Sequence, residues 1–328
     1  MIKIREPVID ERDHMASMKV GYLLPTRDQA VRGDHDLERL VEQARRAEAL
    51  GFDSVWAGDS PLTRPRAEPL LLLSAVAMAT HRVTLGTAVL LPALRHPILL
   101  AHQLATLDRL AGGRLIVGMG GGFPSPGTEA QFTAIGVAFA RRVSRLEESI
   151  EAMRHLWSGR EVSFTGRHFD FHGVRLAPTP ARPAGPPIWL AGGGEAALRR
   201  VARLADGWLP YPPQAQTYAR ERAAIQQSAA RAVTPALYAT LCLDGDPERA
   251  RRRLRVSVER YYNASLEAVE AVQAMFAGTA RAAADWLRFY AEAGARHVVI
   301  RLAADDHHAA LEDFAGLVLP LLQMEGAA

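Results

Sequence analysis

Cysteine is almost absent, since Cys242 is the single one in 328 residues. No disulfide can form within the chain, and no Cys/His pattern for a zinc site exists. Lysine is nearly missing too: Lys3 and Lys19 stand alone, and the formal charge of +3 rests on arginines scattered beside Glu and Asp. A nucleic-acid footprint needs a continuous basic stripe. The densest cluster, Arg249-Ala-Arg-Arg-Arg-Leu-Arg255, reads instead as one exposed helix face, so a pI of 9.2 does not imply that partner. No apolar run reaches the ~18 residues of a membrane span, and the first residues carry no apolar segment of a secretory signal. These absences predict a reducing, cytoplasmic setting without membrane or nucleic-acid partners.

What is present is an alternation. Residues 1–17 are charged and aperiodic; His14-Met-Ala-Ser17 resembles a vector junction, and a native extension reads the same way. From Met18 onward short apolar runs alternate with amphipathic stretches. Strands are expected at 19–25, 54–58, 83–91, 114–118, 187–191, 207–210, 236–243 and 297–302. Helices are expected between them, including 36–50, 69–80, 97–110, 139–157, 195–205, 215–229, 247–262, 265–276, 279–294 and 308–322. Residues 161–178 break the rhythm as a β-hairpin within an insertion at about 161–186. Apolar strands in series with helices imply a parallel sheet covered on both sides. Eight units favour a (β/α)8 barrel, a TIM barrel in one domain over 18–328. The first strand's loop lacks G-x-G-x-x-G, which weakens an open dinucleotide-binding sheet.

A barrel of this kind carries its active site where the strands end. That rule selects Pro25 and Thr26, Asp59 and Ser60, Thr87 with Arg95 and His96 beyond it, and Gly120-Gly-Gly122. It also selects Gly192-Gly-Gly194, Trp208 and Tyr211, and Arg301. Gly192, Gly193 and Gly194 lie between a strand and a helix start, where backbone N–H groups and the helix dipole suit a phosphate. A tight turn is the alternative. Gly118-Met-Gly-Gly-Gly122 offers either a flat slot beside backbone or close packing at the rim. Asp59 reads as an orienting carboxylate or as a loop acid, and His96 as a helix cap. Arg301 shares an inward face with Val299, so a fixed anion must be close: a ligand in the barrel mouth, or Asp305 or Asp306.

The chain resembles the luciferase-like flavin-dependent oxidoreductases from Met18 to about Leu322. The carriers are Ala49-Leu-Gly-Phe-Asp-Ser-Val-Trp56, Val83-Thr-Leu-Gly-Thr-Ala-Val-Leu90, Arg95-His-Pro97 and Ala105-Thr-Leu-Asp-Arg-Leu-Ala-Gly-Gly-Arg-Leu-Ile-Val-Gly118. Leu146-Glu-Glu-Ser-Ile with Leu156-Trp157, and Ala205-Asp-Gly-Trp208, complete the set. The resemblance implies a barrel with insertions holding reduced FMN or the deazaflavin F420. It implies the cofactor phosphate near Gly192–Gly194 and the ring beside Gly86, Thr87 and Ala88, often with an unusual backbone conformation there. Many members carry His after the second strand; here Gly58-Asp-Ser60 stands instead, so no catalytic His is carried over.

The first reading is therefore an FMNH2-dependent monooxygenase acting on a small organic substrate, fed by a separate flavin reductase. The alternatives are an F420-dependent reductase or dehydrogenase, and a non-catalytic flavin-binding barrel. The aromatics Phe123, Trp208 and Tyr211 point weakly to an apolar substrate, and the segments 161–186 and 123–131 are expected to cover the site. The helices 69–80 and 97–110 are apolar on more than one face, which predicts a homodimer.

Overall fold

A computed structural model describes residues 18–323. The expected extension at 1–17 lies outside the described residues. The strands are β1 (Lys19–Leu23), β2 (Ser54–Ala57), β3 (Thr84–Thr87), β4 (Leu115–Met119), β5 (Glu161–Thr165), β6 (Asp170–Arg175), β7 (Ile188–Leu190), β8 (Gly207–Trp208), β9 (Thr234–Leu243), β10 (Met275–Gly278) and β11 (His297–Leu302). The helices are α1 (Thr26–Val31), α2 (Leu37–Ala49), α3 (Pro69–Ala79), α4 (Pro97–Leu110), α5 (Pro126–Ala134), α6 (Arg142–Leu156), α7 (Glu195–Leu204), α8 (Ala215–Ser228), α9 (Pro247–Tyr262), α10 (Leu266–Glu270), α11 (Ala280–Glu292), α12 (His307–Leu317) and α13 (Leu319–Gln323).

Eight parallel strands close in the order β1, β2, β3, β4, β7, β8, β9, β11, with β11 returning to β1. The protein is a TIM barrel with flanking helices. β5 and β6 form the expected antiparallel hairpin. The helix expected over 265–276 is a correction: only α10 is helical, and Met275–Gly278 is a ninth strand. β8 pairs with the first residues of β9, and β10 joins the same edge higher up, beside Thr240–Leu243. α1 and α5 are further additions to the expected pattern, and Pro320 sits just inside a second short helix that divides the expected closing one. Among the described residues no helix is long and apolar enough to cross a membrane.

Alternation along the strands separates two cores. Val298, Ile300 and Leu302 face the helices with Tyr22, Val55 and Leu85. Leu23, Trp56, Trp189, Leu209, Ala236 and Val299 fill the barrel interior. The two indoles lie 5.4 Å apart, and each occupies room left by glycines on neighbouring strands. A Cβ on Gly86 would lie 2.1 Å from Trp56, and one on Gly207 would lie 2.3 Å from Trp189. Below them His297 Nε2 and Ser54 Oγ share a hydrogen bond of 2.7 Å, and Trp56 Nε1 donates to the same Ser54 oxygen.

Candidate active site

A cleft of about 510 Å³ opens at the C-terminal ends of the strands, within the usual range for small-molecule sites. Its walls differ in chemistry. One side is backbone and small side chains: Ala88, Gly120, Gly121, Gly122, Ala191 and Gly192. The other carries Arg64 and Arg66 from the loop after β2, Tyr211 from beyond β8, Tyr238 from within β9, Tyr261 and Tyr262 from the end of α9, and Gln273. Phe123, Thr128 and Gln131 close the rim, as expected for 123–131. The hairpin at 161–175 does not line the cleft. It packs on α6, where Glu148 accepts the backbone N–H groups of Arg167, His168 and Phe169.

Gln131 holds the loop after β2 in place. Its buried Oε1 accepts from Ser60 Oγ at 3.1 Å, Leu62 N at 3.0 Å and Thr63 N at 3.1 Å. Ser60 Oγ in turn accepts from Arg64 N at 3.0 Å. Asp59 lines the cleft, but its carboxylate is engaged. Arg95 donates to both oxygens, at 2.5 and 3.2 Å, and Leu91 N donates at 2.9 Å. Burial opposes the charge on Arg95, yet Asp59 and then Glu68 outweigh it and raise its pKa. Asp59 thus anchors the loop after β3. His96 N-caps α4 through Ile98 N.

Arg301 keeps the inward face expected for it but does not reach the cleft. It is 1% exposed and lies beneath Tyr261, with its guanidinium carbon 3.9 Å from that ring. Its carboxylate partner is neither Asp305 nor Asp306. Nη2 donates to Asp28 Oδ1 and to Ser257 Oγ, each at 2.8 Å. Asp305 pairs with Arg32 and Arg260, and Asp306 caps α12. The expected ligand anion in the barrel mouth and its alternative, Asp305 or Asp306, both give way to an acid from α1, across the β11–β1 seam.

Gly86 and Thr87 lie below the cleft. Gly86 makes room for Trp56, and the buried Thr87 hydroxyl donates to Gly118 O at 2.7 Å. Ala88 does line the cleft, and the Ala88–Val89 peptide is cis. Gly120 faces Val89, whose Cγ2 would be 2.8 Å from a Cβ there. Gly192 and Gly194 have φ of +118° and +77°, which favour glycine. Gly194 N, at the start of α7, donates to Glu221 Oε1 at 2.9 Å. Trp208 points away: its Nε1 donates to Gly192 O at 2.9 Å and its ring stacks on Tyr218.

The residues that sequence reasoning passes over are Arg64, Arg66, Tyr238, Tyr261, Tyr262 and Gln273. The available signals are Arg64-Pro-Arg66 just past β2 and a tyrosine pair ending α9. Burial first, then Tyr262 for Tyr238 and Tyr261 for Tyr262, raises the pKa of both phenols, so both stay protonated at neutral pH, with the Tyr238 hydroxyl hydrogen-bonded to that of Tyr262. Gln273 Oε1 is buried at the cleft without a protein partner. Among the described residues no three metal-ligating side chains converge. A flat heteroaromatic ring fits the small-residue wall.

A model of the luciferase-like monooxygenase family matches residues 18–314. An F420-dependent glucose-6-phosphate dehydrogenase of Amycolatopsis mediterranei is 30% identical over 88% of this chain and 95% of its own length. A monooxygenase from Streptomyces bottropensis superposes with a TM-score of 0.77 at 23% identity, covering 92% of this chain and 99% of its own. An F420-dependent secondary alcohol dehydrogenase, solved with an F420–acetone adduct, gives 0.77 at 20% identity over 94% and 99%. Matched along nearly all of its barrel, the chain is an oxidoreductase that belongs to the luciferase-like monooxygenase family.

Proposed function

We propose that this protein is an F420-dependent oxidoreductase acting on an alcohol or carbonyl carbon. The observation that carries this reading is the similarity to F420-dependent dehydrogenases along most of the chain. The deazaflavin, when bound, supplies two-electron hydride transfer. The chain's own residues do the rest. Ala88, Gly120, Gly121 and Gly192 leave a flat slot for the ring. The N-terminus of α7 and the turn Gly192–Gly194 offer N–H groups to the phosphate, once the Glu221 carboxylate yields its place. With no imidazole on the lining, the protonated phenols are the candidates to hold a hydrogen bond on the substrate oxygen.

The FMNH2-dependent monooxygenase takes second place. Its structural neighbours are 17–23% identical, which bears on the fold alone. Titration of the purified protein with F420, FMN and reduced FMN tests the choice. F420 is expected to bind saturably and at least about tenfold tighter than either FMN form, roughly 1.4 kcal/mol. Tighter FMN binding sinks the reading and restores the need for a flavin reductase. Binding without turnover of any alcohol or carbonyl compound leaves a non-catalytic flavin-binding barrel.

A further inference from the structure

We propose that the loop after β2 builds a second anion site, distinct from the glycine turn, that receives the phosphate or carboxylate of an anionic substrate. This deepens the oxidoreductase reading above and rests on it for the anion being that of a substrate.

Several arginines elsewhere in this chain meet acids, such as Arg249 with Asp244, Arg255 with Glu267 and Arg200 with Glu147, while others, such as Arg114 and Arg182, are held by backbone carbonyls. Arg64 and Arg66 both line the cleft, and no carboxylate among the described residues lies within ion-pair distance of either. They are not free-hanging surface side chains. A Cβ on Gly58 would lie 2.1 Å from Arg66 Nη1, so the end of the guanidinium rests against the end of β2 in space that the glycine leaves open. Arg66 Nε donates to Arg64 O at 3.1 Å, which ties the two together. The tyrosine pair backs them, Arg66 at 5.9 Å from the Tyr261 ring and Arg64 at 5.3 Å from the Tyr262 ring. Ring faces hold a guanidinium without using its N–H groups. The Gln131 staple fixes the same loop.

Behind them stands a third cation. Arg27 is 6% exposed, lies 5.1 Å from the Tyr261 ring, and donates from Nε to Tyr261 O at 2.5 Å. Its Nη1 is buried without a partner. Burial first, then Arg66, lowers its pKa to about 10. Its neighbour in the chain, Asp28, is engaged by Arg301. A fixed, partly buried excess of positive charge is costly unless an anion joins it. Forked guanidinium donors match the paired oxygens of phosphate and carboxylate. β2 is three strands round the barrel from β7, so one cofactor phosphate at Gly192–Gly194 does not also occupy this place. The oxyanion arriving here belongs to the second molecule in the cleft.

The test uses the full chain and inorganic phosphate as probe, by calorimetry, with F420 affinity measured alongside. Arg66→Gln removes the fork, and Gly58→Ala displaces it while keeping the charge. Arg64→Gln, at the more open position, serves if either fails to fold. Phosphate binding is expected to weaken by about tenfold in each variant, with F420 affinity held within about twofold. Equal phosphate affinity in wild type and variants overturns the proposal and places the anion elsewhere, for instance in the hollow beside Arg252, Arg253 and Arg260. Loss of F420 affinity with phosphate binding unchanged also overturns it, because the arginines then serve the cofactor. Should F420 fail to bind wild type while the phosphate arm behaves as expected, the anion site stands and only the cofactor reading falls.

Discussion

Arg301 and Asp28 meet at 2.8 Å across 273 residues of chain, and both are almost wholly buried. Burial disfavours the arginine charge, but Asp28 and then the nearby phenols outweigh it, so its pKa is raised. Removing one member of such a pair leaves the other charge unpaired, at a cost of about 3 kcal/mol or more. Arg301→Met is therefore expected to lower the midpoint of urea unfolding strongly and to leave F420 affinity within about twofold, since Arg301 does not line the cleft. A stable variant with weakened cofactor binding contradicts this and assigns Arg301 to the site.

His297 makes stability depend on acid. Burial, aided by Lys19, pushes its pKa down to about 3, whereas an unfolded histidine titrates near ~6.5. Between those values the unfolded chain binds the proton and the native one does not, so stability rises with pH. The contribution is complete above about 6.5 and is lost as pH falls, by up to about 1.4 kcal/mol per unit. His307, pushed down to about 4 chiefly by burial, adds in the same direction. Thermal melts from pH 7 to 4 are expected to fall steadily, and His297→Asn to flatten that slope. An unchanged slope in a folded variant counts against the assignment.

Gly193 separates backbone strain from access. Gly192 and Gly194 need positive φ, but Gly193 does not, and a Cβ there would meet the Glu221 carboxylate at 3.1 Å. Gly193→Val is expected to keep the fold and weaken cofactor binding. Glu221→Gln is expected to tighten it by about threefold, because a competing anion leaves the helix start, at a cost of roughly 0.5 kcal/mol in stability. Equal affinities in all three proteins remove the phosphate from this turn.

We propose a homodimer through α3 and α4. Leu71 and Met78 on α3 are 74% and 68% exposed, and Leu99 on the adjoining α4 is 64% exposed. Light scattering at micromolar concentration is expected to give twice the chain mass, and Leu71→Glu with Met78→Glu to halve it. A wild-type monomer refutes the proposal.

The barrel is legible in the sequence because its strands are apolar runs set between amphipathic helices, a pattern that needs no knowledge of distant partners. Met275–Gly278 is not. The preceding Leu266–Glu270 is helical, and a short apolar run carries no period of its own. What makes it a strand is the free edge of β9 above the two-residue β8, a feature of the assembled sheet. The site divides in the same way. Glycines at strand ends are visible, yet whether Gly86 faces a ligand or Trp56 depends on register between β2 and β3. Asp59 is visible, but nothing local marks Arg95, 36 residues on, as the partner that occupies it. Arg64 and Arg66 look like solvated loop charges until the space beside Gly58 locates them.

The paired indoles of Trp56 and Trp189 plug the barrel below the cleft. The vessel is therefore closed at one end, and every molecule that enters must leave by the same door. Turnover of the proposed kind is then expected to be ordered, with product leaving the cleft before the cofactor exchanges. Steady-state kinetics is expected to show product competing with substrate and not with the cofactor.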